Sequence, residues 1–389
     1  MITRVQVKNY RSLRDVDVTL GPLNVLVGKN GAGKSAFLDV LAFVRDAITG
    51  SIRFAIEERK GLEAVTYAFV KPTQQIDLVF EIETLTYWAT YELRLSPNGS
   101  LVEYEAARAG IGRSNIGFSD SLESWEAHDG QWIWELDSDR FKEAHDRLGN
   151  PIGLAGVGGL VLPVLVSLFP RTNQLFETLR DTNSYDFIVS QLREPHKPSA
   201  YSDLSSDGEN LASIILKIQE INIYYDALIT AFNRITGVRD VRIIKTGAYN
   251  SIEVERIAHS GKAAWLPLDQ ESDGTIRVLG ILVAIYQPVL RTTLCINEPE
   301  LHLHPGALPI IADIIKEASI RRQVIITTQS PDLISRFAAD ELRIVQNVDG
   351  ETKIGKIEER QKEIINAELF SGGDLLRIEG LHPAGIANA

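Results

Sequence analysis

The chain has 389 residues, 44% of them hydrophobic, with a formal net charge of −12. That much apolar surface excludes a chain disordered throughout, and the acidic balance excludes an overall basic footprint for nucleic acid. A single cysteine, Cys295, allows no internal disulfide, which fits a reducing, cytoplasmic compartment.

In chain order, residues 2–8 and 16–20 read as strands, and Gly21-Pro22 turns into a third at 23–27. Met1-Ile2-Thr3-Arg4 does not read as a signal peptide. Gly28-Lys29-Asn30-Gly31-Ala32-Gly33-Lys34-Ser35 then fits the phosphate-loop pattern G-x-x-x-x-G-K-[ST]. The apolar run 37–48, stopped by Gly50, reads as the helix behind it. Strand, glycine loop and helix aim backbone N–H groups and a helix N-terminus at phosphate. Asn30, Gly31, Ala32 and Gly33 would supply that cradle. Lys34 would reach the β- and γ-phosphates of ATP, and Ser35 would ligate Mg²⁺.

A β-rich region follows. Residues 76–85, 87–95 and 101–107 read as strands, with a hairpin at Pro97-Asn98-Gly99 and another at Asp129-Gly130. The tryptophans near that second turn fit packing in a β-layer better than a base-stacking platform. Residues 136–235 read as mostly helical. Within them, 152–169 carries no charge but holds four glycines and Pro163, so it reads as a buried loop and short helix, not a membrane span. The polar stretch 194–207 reads as a loop and the best candidate for a mobile segment. Residues 211–230 have helical periodicity without a sustained heptad.

From residue 238 the pattern returns to strands at 238–245 and 252–258. Then come an apolar helix over 275–286, a buried strand at 293–296, an amphipathic helix marked by Leu308, Ile311, Ile315 and Ala318, and a buried strand at 324–327. Ser330-Pro331 starts another helix, and 342–346 with 352–357 forms a last hairpin about Asp349-Gly350. Asn297 and Glu298 emerge at a strand's C-terminal end, where open α/β sheets bind ligands. Glu298 would polarise the attacking water as general base. Asn297 stands where an aspartate usually holds Mg²⁺; its oxygen serves but brings no charge. Ser272 and Gly274 open the apolar helix and make a second helix-end anion site.

Taken as a set, these motifs resemble the ATP-binding-cassette fold, and within it the RecF/SMC/OLD-like branch of single-chain ATPases. Lys8-Asn9-Tyr10-Arg11-Ser12-Leu13 resembles that branch's opening, and Ser272-Asp273-Gly274-Thr275 its signature. Asn297-Glu298-Pro299-Glu300 with His304-Pro305 resembles its Walker B and D-loop, and Thr327-Thr328-Gln329-Ser330-Pro331 its switch. The likeness covers most of 1–110 and 203–389 and is loose over 110–200. It implies an α/β fold: an ABC ATPase head with a two-lobed mixed sheet and a helical insert. The expected parts are 1–110 (lobe I), 111–202 (a mixed β/helical insert) and 203–389 (lobe II). It implies Gln329 at the γ-phosphate, and an ATP-stabilised head-to-tail homodimer in which Ser272 and Gly274 of one subunit close over ATP held by the other. Three departures stand out: Asn297 for the usual aspartate, Gln329 for the usual histidine, and Lys29 for a frequent proline. The first two point to slow hydrolysis.

The resemblance favours a role in DNA maintenance or anti-phage defence over two alternatives, the ATPase subunit of a membrane transporter and a nucleotide-binding scaffold that hardly hydrolyses. His302 and His304, without a third ligand nearby, read as D-loop residues and not a metal site. Residues 358–389 read as too few for the nuclease core carried by OLD-like relatives, with only Asp374 and Glu379 acidic after Glu368. The expectation is an ATP state that gates a separately encoded effector, plausibly a nuclease, through 110–200. DNA would be met through that complex, if at all, and no membrane is expected.

Overall fold

The computed structural model describes residues 1–69, 74–96, 101–111, 123–128, 131–135, 159–166, 169–201, 203–258, 260–289 and 291–385. Two units form. The first joins Met1–Thr182, Arg343–Glu359 and His382–Ala389; the second joins Asn183–Leu342 and Arg360–Leu381. These differ from the three parts expected from sequence. Residues beyond 110 stay with the first unit because two further strands extend its sheet. The chain also returns there after residue 342, where Thr352 N–H bonds the carbonyl of Ser12 at 2.8 Å.

The first unit holds β1 (Ile2–Tyr10), β2 (Leu13–Thr19), β3 (Leu23–Val27), β4 (Ile76–Glu83), β5 (Tyr87–Leu95), β6 (Val102–Ile111), β7 (Glu123–His128) and β8 (Gln131–Glu135). Seven of them make an antiparallel sheet in the order β2-β1-β4-β5-β6-β7-β8. Every second residue of β4 and β5 is apolar, so one face is buried. Phe80 stands opposite Tyr91, and Leu78 opposite Leu93. The two expected hairpin pairings are present; their turns, 97–99 and 129–130, lie outside the described residues. Trp125 is buried in this layer, as packing requires. Short helices at Ile52–Glu57 and Leu62–Val65 follow the Lys34–Thr49 helix, and the sequence reading missed them.

Two buried carboxylates of this sheet serve as caps. Glu105 accepts from the N–H of Val161 (2.5 Å) and Leu162 (3.1 Å) and from Tyr91 Oη (2.8 Å). Glu123 accepts from the N–H groups of Arg171 and Thr172, the first turn of the Pro170–Arg180 helix. Burial pushes the Glu105 carboxyl up to about 7 although three donors face it. The folded value exceeds the unfolded one, so the fold holds this proton more tightly. That contribution is complete below about pH 4.5 and is lost as pH rises through 7, about 3 kcal/mol in all. Thermal melts of wild type should therefore decline from pH 5 to 8 more steeply than those of Glu105→Gln. Parallel profiles would show that Glu105 does not titrate there. Within the uncharged 152–169 stretch, the described part contains the four-residue helix Leu162–Leu165. Among the described residues, no helix is long and apolar enough to cross a membrane.

The second unit begins within β9 (Thr182–Tyr185) and contains an antiparallel meander, β10 (Asp240–Thr246), β11 (Tyr249–Ile257) and β12 (Ala263–Pro267). Its centre is the parallel pair β13 (Thr293–Asn297) and β14 (Gln323–Thr328), joined by the helix Leu308–Arg321. All of β14 and all of β13 but Asn297 are buried, around the apolar runs 294–296 and 324–326, because both faces are covered. The helix Asp273–Tyr286 is buried along almost its whole length. Residues 211–230 form two helices, Leu211–Gln219 and Asn222–Thr236, because Ile221 between them is extended (φ −122°, ψ 90°). The 194–207 stretch is a loop, as expected, but it is tied down. His196 exchanges backbone bonds with Asn250, Leu204 N–H bonds Gln287, and Asn210 bonds both Ser205 and Asp203. The chain closes on the first unit with the hairpin β15 (Leu342–Val348) and β16 (Glu351–Lys356), as read from sequence.

Candidate nucleotide-binding site

The phosphate loop lies in the first unit. All five residues of β3 are buried, so the strand is a fixed base for the loop after it. The helix that follows starts at Lys34 with Gly33 as its N-cap at φ 106°, and no side chain caps it. A helix N-terminus of this kind presents backbone N–H groups, the feature an anion uses. Two glycines here are required by space. A Cβ on Gly28 would lie 2.3 Å from the Val345 carbonyl oxygen, and one on Gly33 would lie 2.0 Å from Thr352 Oγ1. The buried Lys34 donates from Nζ to the carbonyls of Gly28 (2.8 Å) and Lys29 (3.1 Å), spanning the loop. Ala32 is buried and its carbonyl accepts from Thr352 Oγ1 at 3.0 Å. Asn30, Gly31 and Ser35 are exposed.

The second unit holds the remaining candidates. Ser272 caps the Asp273–Tyr286 helix by accepting from Thr275 N–H at 3.3 Å. Asp273 places a carboxylate in that first turn, paired with Arg193 at 2.5 Å. A Cβ on Gly274 would lie 2.5 Å from the His302 carbonyl oxygen, so the signature turn packs directly on the D-loop backbone.

At the end of β13, Asn297 Oδ1 accepts from Thr327 Oγ1 at 2.6 Å, and Asn297 Nδ2 donates to Asp186 Oδ1 at 3.2 Å. Glu298 is half-buried and left-handed, with φ 44°, which a residue bearing a Cβ adopts only when neighbours hold it. Its N–H bonds Thr327 Oγ1 at 3.0 Å. Arg277 supplies the rest of the grip. Its guanidinium is buried and donates to the carbonyls of Phe187 (2.6 Å), Asn297 (2.9 Å) and Glu298 (3.0 Å). Burial holds its pKa below the ordinary arginine range. Glu300 accepts from Thr328 Oγ1 and, at 3.2 Å, from Gln329 N–H, which places the Gln329 backbone; burial pushes its carboxyl up.

The structure thus gathers Asn297, Glu298, Gln329 and Gly274 about one strand end in the second unit. Sequence reading missed Arg277, Asp186 and the bracing by Glu300. Arg277 had a legible signal, because it is the one charged side chain within the apolar run 275–286. Asp186 had none. His304 accepts from Gly306 N–H at 3.0 Å as a cap. Among the described residues no group of three or more His, Cys, Asp or Glu could hold a metal ion.

Comparison with known proteins agrees with this geometry. An AAA ATPase domain model matches residues 1–127. A second AAA domain model, described as a putative AbiEii toxin of a type IV toxin–antitoxin system, matches residues 161–335. The Old nuclease of Escherichia phage P2 is 21% identical over 93% of this chain and 62% of its own. The OLD nuclease of Thermus scotoductus is 47% identical over 53 residues, 14% of this chain and 10% of its own. The chain therefore spans less than two thirds of the length of either relative. A crystal structure of an SMC head bound to the C-terminal winged-helix domain of ScpA superposes with a TM-score of 0.52 at 14% identity, covering 92% of this chain and 99% of that one.

Two AAA ATPase domain models, with the likeness to the Old nuclease and to an SMC head, support an ATPase of the AAA/SMC-like class. The expected α/β head fold is present. The glycine loop follows β3, Asn297 and Glu298 lie at the end of β13, and Gln329 follows β14.

Proposed function

We propose that this ATPase binds Mg-ATP, hydrolyses it slowly, and uses the bound state to dimerise and gate an effector in DNA maintenance or anti-phage defence. The observation that carries the reading is the glycine loop leading into the helix start at Gly33–Lys34, braced by Gly28 on Val345 and Gly33 on Thr352. Asn30, Gly31, Ala32 and Gly33 bind phosphate through the backbone, and Lys34 moves from the loop carbonyls to the β- and γ-phosphates. Ser35 would present a hard oxygen donor, which suits Mg²⁺, and Asn297 would stand on the metal side as a neutral group. Mg²⁺ held there would supply charge neutralisation on the phosphates. Glu298 takes the proton of the attacking water, and Gln329 donates to the γ-phosphate without bringing charge.

Ser272 and Gly274 close over the γ-phosphate of a second copy, giving a head-to-tail homodimer with two composite sites. The nuclease names of the two relatives support an effector of that class, contacted through residues 110–200. Of that stretch, 112–122, 129–130, 136–158 and 167–168 lie outside the described residues.

One set of proteins tests the reading. By calorimetry wild type binds Mg-ATP, and by sizing it shifts to a dimer with a non-hydrolysable analogue. Lys34→Ala does neither. Unchanged affinity in that variant would remove the phosphate-loop assignment, and a wild type monomeric under both conditions would remove the composite dimer.

A further inference from the structure

The neutral side chain at 297 leaves the metal side of the site short of one charge. We propose that Asp186 supplies it, acting as the carboxylate that faces Mg²⁺ in place of an aspartate at 297. The inference rests on the Mg-ATP reading above.

A hydrogen-bond chain runs from Glu298 through Thr327 and Asn297 to Asp186. Glu298 N–H donates to Thr327 Oγ1 at 3.0 Å. With that lone pair used, the Thr327 hydroxyl donates its own proton to Asn297 Oδ1 at 2.6 Å. The amide is thereby oriented: its oxygen faces Thr327 and its nitrogen faces Asp186 Oδ1 at 3.2 Å. The reverse orientation would set two bare oxygens, Asn297 Oδ1 and Asp186 Oδ1, against each other. On the side turned toward Asp186, residue 297 offers a donor and no lone pair for a cation. The carboxylate beside it is the group there that attracts one.

Asp186 is also held in place. Its backbone N–H donates to the carbonyl of Ser206 at 3.1 Å. The next carbonyl, that of Phe187, accepts from Arg277 Nη1 at 2.6 Å, while Nη2 of the same guanidinium binds the carbonyls of Asn297 and Glu298. One planar group therefore fixes the spacing between the Asp186 segment and the end of β13. The Asp186 side chain is itself exposed, so an ion reaches it from solvent. No cage of three or more acidic or histidine ligands exists among the described residues. That suits Mg²⁺, which keeps several waters and binds through one or two carboxylates plus nucleotide phosphates.

Mn²⁺ is the probe, followed by electron paramagnetic resonance on the full chain loaded with non-hydrolysable ATP. Nucleotide affinity in chelator is measured alongside. Asp186→Asn should weaken Mn²⁺ binding by roughly 10–100-fold with metal-free nucleotide affinity unchanged. The exchange Asp186→Asn with Asn297→Asp returns the charge to the other end of the hydrogen bond and should restore Mn²⁺ affinity. Wild-type Mn²⁺ affinity in Asp186→Asn overturns the proposal. So does a loss that the exchange leaves uncorrected, because the residue would then be structural. A wild type that takes up no nucleotide in either condition overturns the Mg-ATP reading and this inference together.

Discussion

Glu298→Gln should bind Mg-ATP with wild-type affinity and lose turnover by about 10²–10⁴-fold. Glutamine keeps the shape of the side chain and its half-buried setting, so the change isolates the capacity to accept a proton. The backbone prepares the residue for this role. A left-handed Glu298 is unfavourable on its own and is held by its N–H on Thr327 and its carbonyl on Arg277. Steady-state turnover with calorimetry separates the outcomes. Hydrolysis at the wild-type rate would place the general base elsewhere, and lost ATP binding would show that Glu298 holds the nucleotide.

Arg277→Met should lower unfolding free energy by about 3 kcal/mol and depress turnover further than the stability loss explains. The substitution leaves the carbonyls of Phe187, Asn297 and Glu298 without their donor. It also removes a buried charge that burial already disfavours, which offsets part of the cost. Lysine at 277 provides charge without the planar fork, so Arg277→Lys should recover stability better than turnover. Urea unfolding and turnover measured on both variants decide the matter. A methionine variant with wild-type values for each would show that the guanidinium organises nothing.

Much of this architecture was legible because its strongest elements repeat a period. β4 and β5 alternate, β13 and β14 each centre on a short apolar run, and Ser330-Pro331 and Gly50 mark helix ends as their chemistry demands. What escaped was short or polar. β9 is Thr-Asn-Ser-Tyr, four residues with no apolar alternation, and β12 is a five-residue edge strand ending in proline. The site divides in the same way. The glycine loop and the Asn297-Glu298 step are contiguous and therefore readable. Asp186 meets Asn297 across 111 positions, and Arg277 reaches Glu298 across 21, through bonds that no local pattern encodes. The loop at 194–207 looked free because it is polar, yet its serines and Asn210 spend that polarity on one another and on nearby backbone.

The bracing of the phosphate loop bears on how the protein is made. Gly28 packs against the carbonyl of Val345, and Ala32 accepts from Thr352 across 320 positions. A nascent chain carries the glycine motif out of the ribosome well before the hairpin that seats it, because 320 positions separate Ala32 from Thr352. Closing so long a loop is slow compared with forming the local helix behind the motif. During synthesis the helix Lys34–Thr49 can form while its cradle still lacks a back wall. The glycine loop is therefore fully seated only after β16 has been made.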